Sequence, residues 1–196
     1  MDYPFFVKPL LTLPKDLFQE MRELVLKLED KWIMHPFFRS TVLQSMKSRD
    51  HKSLDECVYK VVALLDPYFP KTAWSTYSLN RLMPNDIIGE HSDVNTKGGI
   101  QPLTYMLMHK LHIPLVTNSK VTSLHRRTNR LPFDTNVMQE GTVYLYNDYV
   151  WHAGANGGDE PRVHMIVKYD DPDWQLRLKM LTKIGFNPYN TYETDA

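Results

Sequence analysis

The stretch IGEHSDV, residues 88–94, places His91 and Asp93 two positions apart, a spacing that suits two ligands of one metal ion. Imidazole and carboxylate groups both bind first-row transition metals. The chain holds 8 His and 15 Asp in 196 residues, so roughly 0.6 His-x-Asp pairs are expected by chance at this composition. The pair alone is therefore weak evidence, and a solvated turn with a local hydrogen bond is the alternative.

A third ligand is offered by His152 in the run YVWHAGANGGDEPRVHMIV, and Arg162 follows it by ten residues. One carboxylate and two histidines leave coordination positions open, which is typical of non-haem Fe(II) oxygenases. A doubly anionic cosubstrate that chelates the metal also needs a cation at its far end, and the planar fork of Arg grips a carboxylate through two hydrogen bonds. The alternatives are a strand-end His152 with a backbone partner, and a surface Arg162 paired with Asp159 or Glu160.

Two further pairs alternate along strand-like runs. In HKLHIPLVTN, Lys110 and His112 point to one face of a strand while the apolar residues between them point to the other. By the same rule Arg162 and His164 share a face. The pattern predicts a cation and an imidazole lining a barrel, although Lys110 and His112 could merely satisfy each other. His164 fits a pocket or the core equally well.

Other polar residues are interpreted as structural. The basic run His125–Arg127, with Arg130, is expected to be a solvated hairpin tip rather than a loop that binds an acidic substrate. Asn156 is expected to order the turn that follows it. Arg81 could face a substrate or brace the barrel.

The first third of the chain reads as helical. Apolar residues recur at spacings of three and four from Pro14 to Trp32, which predicts a helix with one buried face. Ser53 and Glu56 form a capping-box pattern that predicts the start of a second helix, and this helix should stop before Pro67.

From Trp74 the pattern changes to short β-like runs separated by turn residues, which favours a sandwich or barrel. The runs are WSTYSLNRLM, PLTYMLMHKLHIPLV, KVTSLHR, GTVYLYN, DYVWHAGA and RVHMIVKY. A last helix is expected after Asp171 and Pro172. The predicted organisation is a single domain, residues 1–196, with a mainly helical N-terminal support (1–73), a β core (74–170) and a C-terminal helix and tail (171–196).

The composition is that of an ordinary globular protein, with 42% hydrophobic residues. Lys plus Arg equals Asp plus Glu, 23 against 23, so no global charge favours nucleic acid or a membrane surface as a partner. A single cysteine, Cys57, excludes an internal disulfide and a Cys-based zinc site. Without a signal-peptide pattern or an apolar run of about 18 residues, the expected location is cytoplasmic.

The order of these motifs resembles the aspartyl/asparaginyl β-hydroxylase-like Fe(II)/2-oxoglutarate dioxygenases, which include bacterial hydroxylases of free proline. The matching order is His-x-Asp, a basic-x-His-x-Pro-Leu-x-Thr-Asn strand, Gly-x-x-x-x-x-Asn before His-x-x-x-Asn, and Arg-Val-His. The resemblance spans roughly residues 80–170. It implies a mainly β fold with flanking helices, the double-stranded β-helix (a cupin-like jelly roll).

The resemblance also implies a chemistry and the residues that perform it. The enzyme would hydroxylate an amino-acid side chain, such as that of Asp, Asn or Pro, in a free amino acid or a peptide. It would use Fe²⁺, O₂ and 2-oxoglutarate, which is converted to succinate and CO₂. The implied iron ligands are His91, Asp93 and His152, and the predicted cosubstrate pocket contains Arg162, His112, Lys110 and His164, with Lys110 standing where the family usually has Arg.

Two other functions fit the same pattern of residues. One is a cupin-type metalloenzyme that does not use 2-oxoglutarate, and Arg162 at its spacing from His152 argues against it. The other is a jelly-roll module that binds a metal or a protein without catalysis. Such a module has no need of open coordination positions, so a complete set of three ligands argues against it.

Overall fold

The structure is a computed structural model that describes residues 7–28, 32–34, 43–47, 54–67, 74–91, 110–126, 134–146, 151–169 and 182. Neither helix in these ranges has the length and apolar character needed to cross a membrane.

Two helices and eleven strands lie in the described ranges. In chain order they are β1 (Val7–Thr12), α1 (Lys15–Leu26), β2 (Ile33–Met34), β3 (Leu43–Lys47), α2 (Asp55–Leu65), β4 (Trp74–Leu82), β5 (Ile87–His91), β6 (Lys110–Val116), β7 (Val121–Arg126), β8 (Asp134–Asn136), β9 (Thr142–Tyr146), β10 (Trp151–Asn156) and β11 (Arg162–Tyr169).

The strands form two antiparallel sheets. The large sheet has the order β1-β9-β6-β11-β4-β3-β2, and the small sheet has the order β5-β10-β7-β8. From β4 to β11 the chain passes repeatedly from one sheet to the other, so the two sheets wind together as a double-stranded β-helix. The predicted jelly roll is confirmed.

Alternation along the strands separates an apolar face of the large sheet from a polar one. Leu111 and Ile113 of β6, and Val163 and Met165 of β11, belong to one buried cluster with residues of both helices. The helices therefore cover this outer face. The intervening residues, including His112, point to the opposite face because successive side chains of a strand alternate. That opposite face lines the inside of the barrel.

Helix α1 is shorter than its apolar period indicates. It begins after Pro14 and ends at Leu26, although Leu28 is still buried. Trp32 lies beyond the helix and packs at the edge of the core, where the guanidinium carbon of Arg81 lies 4.6 Å from its ring centroid. Arg81 pairs in register with Val163 of the outer face, so it braces the outside of the barrel.

Helix α2 occupies the predicted region but starts differently. Its N-cap residue is Leu54, and no side-chain capping hydrogen bond is present there. Ser53 of the predicted capping box lies outside the described residues. The first turn is attached to the large sheet instead, since the Tyr77 hydroxyl donates to Asp55 Oδ1 at 2.7 Å.

All six predicted β runs overlap observed strands, whereas five strands were not anticipated. These are β1, β2, β3, β5 and β8. β1, β2 and β3 extend the large sheet at its two edges, and nothing in their short apolar pattern distinguishes them from helix or loop. The predicted C-terminal helix falls on residues 171–196, of which only Thr182 is described.

Candidate active site

Three histidines form a row across the small sheet. His152 of β10 lies in register opposite His91 of β5 and opposite His125 of β7. The ring centroids of His91 and His152 are 4.2 Å apart, and those of His125 and His152 are 6.1 Å apart. The structure therefore brings together two of the three predicted metal ligands, His91 and His152, inside the barrel.

The third predicted ligand, Asp93, lies outside the described residues. Within the described ranges, no group of three His, Cys, Asp or Glu side chains could hold a metal ion. The assignment of Asp93 therefore stays a prediction.

The tautomer of His91 suits metal binding. Its Nδ1 lies 2.8 Å from the carbonyl oxygen of Gly89. Because a carbonyl only accepts, Nδ1 carries the proton and Nε2 keeps the lone pair. A backbone hydrogen bond on one ring nitrogen is the usual way in which a protein orients a histidine ligand.

Arg162 is a buried cation. It begins β11 with 4% of its surface exposed, and its Nε has no hydrogen-bond partner in the described part of the chain. Burial lowers the pKa of Arg162 to about 10, partly opposed by the nearby Tyr146. The alternative of a surface Arg162 paired with Asp159 or Glu160 is wrong. Asp159 instead lies 4.0 Å from Lys120 at the surface.

The turn before Arg162 is held by Asn156, as predicted. The fully buried amide of Asn156 donates to the carbonyl oxygens of Leu82 and Glu160, and its Oδ1 accepts from the backbone N–H of Gly158. These bonds fix the chain between β10 and β11, and so fix where Arg162 enters the barrel.

Gly154, two residues after His152, leaves room for Arg162. A Cβ on Gly154 would lie 3.7 Å from Arg162 Nη1 and 3.6 Å from Ile88 Cδ1. Alanine would thus fit, but a longer side chain would meet the guanidinium. The end of the Arg162 side chain therefore lies against the small sheet, on the inner side of the strand that carries His152.

His112 and His164 are neutral imidazoles beside this cation. His164 is fully buried, and neither of its ring nitrogens has a partner among the described residues; the same is true of Nδ1 of His112. Burial lowers the pKa of both histidines, and the charge of Arg162 lowers both further. Their ring centroids are 6.0 Å apart. Arg162, His112 and His164 therefore form one group of buried polar side chains, with ring or guanidinium nitrogens that lack partners among the described residues.

Lys110 lies on the same face as His112, and its charge also lowers the pKa of that histidine. In register it stands between Tyr146 of β9 and Lys168 of β11. It is half-buried. The structure thus places Lys110 beside the predicted pocket, as the alternation indicates.

Two residues of the site were missed by sequence reasoning. Tyr146 stacks on His112 with ring centroids 3.9 Å apart, and it also contacts the rings of His125 and His152 at 4.7 and 5.6 Å. His125 is fully buried, so the expected solvated hairpin tip is wrong for this residue. The burial of His125 could have been predicted from the alternation in KVTSLHR, where Val121 and Ser123 share the buried face with His125.

An ion pair lies near the histidine row. Arg126, next to His125, pairs with Glu90, next to His91. These two residues belong to β7 and β5, which flank β10 on either side. The pair therefore ties the two outer strands of the histidine row together. Arg127 and Arg130 of the same basic run lie outside the described residues.

The sequence model of the aspartyl/asparaginyl beta-hydroxylase family matches residues 18–172, most of the chain. The chain belongs to this family. Membership confirms the predicted family and the predicted enzyme class, a hydroxylase. No curated protein matches the chain in sequence.

Solved structures share the fold of this family member at low sequence identity. A Pseudomonas putida prolyl-4-hydroxylase has a TM-score of 0.60 at 10% identity, over 86% of this chain and 92% of that one. The viral collagen prolyl hydroxylase of Paramecium bursaria Chlorella virus-1 has a TM-score of 0.55 at 12% identity, over 84% and 94%. The α-ketoglutarate-dependent carbocyclase SnoK from nogalamycin biosynthesis has a TM-score of 0.61 at 15% identity, over 86% and 80%.

Proposed function

We propose that this hydroxylase is an Fe(II)- and 2-oxoglutarate-dependent dioxygenase that acts on an amino-acid side chain, in a free amino acid or a peptide. The observation that carries the proposal is the buried Arg162, a cation without an acidic partner in the described part of the chain, in the same barrel as the His91–His152 pair. The similar viral prolyl hydroxylase is a complex with 2-oxoglutarate, which supports this choice of cosubstrate.

The residues present fit an iron site. His91 has a lone pair on Nε2 that can bind a metal, His152 lies opposite it, and Asp93 follows the end of β5 by two residues. These three would hold Fe(II) and leave positions open. Bound iron would supply the oxidising chemistry by which a substrate C–H group, 2-oxoglutarate and O₂ are converted to a C–OH group, succinate and CO₂.

The residues also fit the cosubstrate. Arg162 would bind the distal carboxylate through two hydrogen bonds, which would give a partner to the Nε that has none among the described residues. His112 and His164 have buried nitrogens that would then gain partners, and Lys110 would add positive charge for a dianion. A cupin enzyme without such a cosubstrate has no use for this group of four.

The neutral histidines and Tyr146 also exclude water. His164 and His125 are fully buried, and the Tyr146 ring lies flat against His112. Their low pKa values keep the imidazoles uncharged at neutral pH, so the cationic groups dominate the field in the pocket. A dry, positively charged pocket strengthens the hold on an anionic cosubstrate.

The test is anaerobic titration of the protein with Fe(II) and then 2-oxoglutarate. We expect one Fe(II) per chain and a weak visible charge-transfer band once both are present. Succinate should appear when O₂ is admitted with a substrate from a screen of amino acids and peptides. Stoichiometric iron binding without the band would contradict the cosubstrate assignment.

Variants identify the third ligand. Asp93→Ala and His152→Ala should lose tight iron binding and succinate formation while remaining folded, since the missing group is a ligand. His125→Gln is the matched variant, because His125 is in the same row but is not assigned to the metal. It should still bind one Fe(II). If Asp93→Ala binds iron normally and His125→Gln does not, His125 takes the place of Asp93.

A further inference from the structure

The strand that carries His91 is weakly held by backbone pairing. β5 is the end strand of the small sheet, and β10 is its only neighbour among the described strands. His91 is the last residue of β5, and just before it Gly89 and Glu90 face the single residue Ala153 of β10. Such a bulge leaves one residue without a ladder partner. Backbone hydrogen bonds alone therefore fix the position of His91 poorly.

The residues next to the ends of the histidine row carry opposite charges on the outer face of the small sheet. His91 points into the barrel beside His152, so Glu90, which precedes it, points outward. On β7 the alternation is the same, with His125 buried inside and Arg126 outside. The outer face thus carries a carboxylate behind His91 and a guanidinium behind His125.

Glu90 and Arg126 meet across β10. Oε1 of Glu90 accepts from both Nε and Nη2 of Arg126. Because β10 lies between β5 and β7, the two backbones are roughly 10 Å apart, about twice the spacing of neighbouring strands. Ala153 lies on the outer face of β10 and is only 8% exposed, which fits an ion pair that crosses over it. The two side chains therefore bridge three strands.

We infer that the ion pair of Glu90 and Arg126 is a positioning device for the metal site, which holds the end of β5 against β10 so that His91 stays beside His152. Neither side chain faces the inside of the barrel, so both act through the ligands. Asp93 follows His91 by two residues, so the same device sets where the segment with the third proposed ligand begins. The inference rests on the proposed function, because it takes His91 and His152 as ligands of Fe(II).

Charge and geometry make opposite predictions for Arg126. If the pair acted only through its electric field, loss of Arg126 would remove a cation from the neighbourhood of a dication and tighten the binding of Fe(II). Loss of Glu90 would weaken it. If the pair instead holds the end of β5, loss of either partner weakens iron binding. The sign of the change in Arg126→Gln therefore separates the two explanations.

The test measures the Fe(II) affinity of the full chain under argon, by competition with a coloured chelator. We expect Arg126→Gln and Glu90→Gln each to lower the affinity about fivefold, the upper end of the range for an ion pair that is partly exposed. The double variant should be no weaker than the weaker single variant, because the same interaction is lost only once.

Salt provides a second measurement without any substitution at the ligands. The difference in Fe(II) affinity between the wild type and Arg126→Gln should narrow as NaCl rises from about 0.1 to 1 M, because salt screens a partly exposed pair. Lys60→Gln is the matched control, since Lys60 forms ion pairs with Glu20 and Glu56 on the two helices, away from the barrel. It should bind Fe(II) as the wild type does. Urea unfolding of the metal-free proteins shows whether the stability losses are similar.

The inference is overturned if Arg126→Gln binds Fe(II) as tightly as the wild type or more tightly, or if Lys60→Gln loses as much affinity. It is also overturned if the loss in the double variant is the product of the two single losses. Failure of the proposed function looks different, because the wild type itself would then bind no Fe(II), and the inference would fall with it. A wild type that binds Fe(II) but not 2-oxoglutarate would leave the iron comparison decisive for the pair.

Discussion

Arg162 is a buried cation whose side chain is removed from water and whose Nε has no partner among the described residues. A buried charge needs a partner of opposite charge and hydrogen bonds to be tolerated. A carboxylate gripped by two hydrogen bonds provides both. This is why burial at position 162 says more about function than the identity of the residue alone.

We predict that Arg162→Ala weakens 2-oxoglutarate binding and leaves iron binding nearly intact. Removing one partner of a buried charge pair costs about 2–5 kcal/mol, and 2 kcal/mol corresponds to a loss of roughly 25-fold in affinity. Titration of 2-oxoglutarate into the Fe-loaded proteins measures the change. Arg81→Ala is the matched control on the outer face. A loss below about fivefold would place the cosubstrate anchor elsewhere.

Lys110 is the second residue whose contribution to 2-oxoglutarate binding can be measured by substitution. If it contributes to the pocket as proposed, Lys110→Ala should lower the affinity for 2-oxoglutarate, and Lys110→Arg should preserve or raise it because Arg adds a second donor to the same carboxylate. The same titration measures both variants. Unchanged affinity in both would remove Lys110 from the cosubstrate site.

Much of the site follows from residue order, and what was missed has a physical cause. Alternation in a strand identifies which residues share a face, and this correctly grouped Lys110 with His112 and Arg162 with His164. It does not show which strand of the other sheet lies opposite. The contacts of Tyr146 with His125 and His152 depend on that packing, so they were invisible in the sequence.

At the level of elements, the connection from β10 to β11 positions the site. Asn156 is the last residue of β10, and its side chain is hydrogen-bonded to Leu82 at the end of β4 and to Gly158 in the turn between β10 and β11. Its backbone N–H donates to Asp86, and its backbone carbonyl accepts from Asn85, in the turn between β4 and β5. Asn85 has a φ of 64°, a conformation that Asn tolerates better than most residues.

We predict that Asn156→Ala lowers the free energy of unfolding by about 1–3 kcal/mol, because buried carbonyl groups lose their donors. It should also weaken 2-oxoglutarate binding, because Arg162 follows the turn that Asn156 holds. Urea unfolding and cosubstrate titration measure the two effects. Asn118→Ala is the control, since the Asn118 side chain accepts one bond in an exposed turn. A stability loss without any change in 2-oxoglutarate affinity would separate the turn from the position of Arg162.

Across the elements, the β core was easier to predict than its surroundings. Strands β6 and β11 begin with alternating polar and apolar residues, Lys-Leu-His-Ile and Arg-Val-His-Met, because one face is core and the other is pocket. Strands β1–β3, at the two ends of the large sheet, are defined by their pairing with other strands rather than by their own pattern. Helix α1 ends at Leu26 although its apolar spacing continues to Trp32, because those later residues meet the core from outside the helix.

For the whole molecule, the buried histidines of the site lower the stability of the folded protein at acidic pH. His125 and His164 are fully buried, and burial lowers the pKa of both, to about 3 for His125. An unfolded histidine takes up a proton near pH 6.5, but these folded ones do not. The contribution of these two histidines to stability should therefore be constant above about pH 6.5 and become unfavourable as the pH drops below it, by up to ~1.4 kcal/mol per pH unit for each histidine.

We predict that His164→Leu stabilises the metal-free protein and impairs the enzyme. Two buried ring nitrogens without partners carry a desolvation cost of about 1–3 kcal/mol, which an apolar side chain of similar size removes. The free energy of unfolding should rise at pH 7. Its decline between pH 6.5 and 5.5 should become shallower by up to ~1.4 kcal/mol, since one histidine no longer takes up a proton on unfolding. Affinity for 2-oxoglutarate should fall, because stability and function compete at such sites.

Urea unfolding at several pH values and cosubstrate titration measure these effects, with Met165→Leu, on the outer face of the same strand, as the control. If His164→Leu instead destabilises the protein and binds 2-oxoglutarate normally, His164 belongs to the core and not to the pocket.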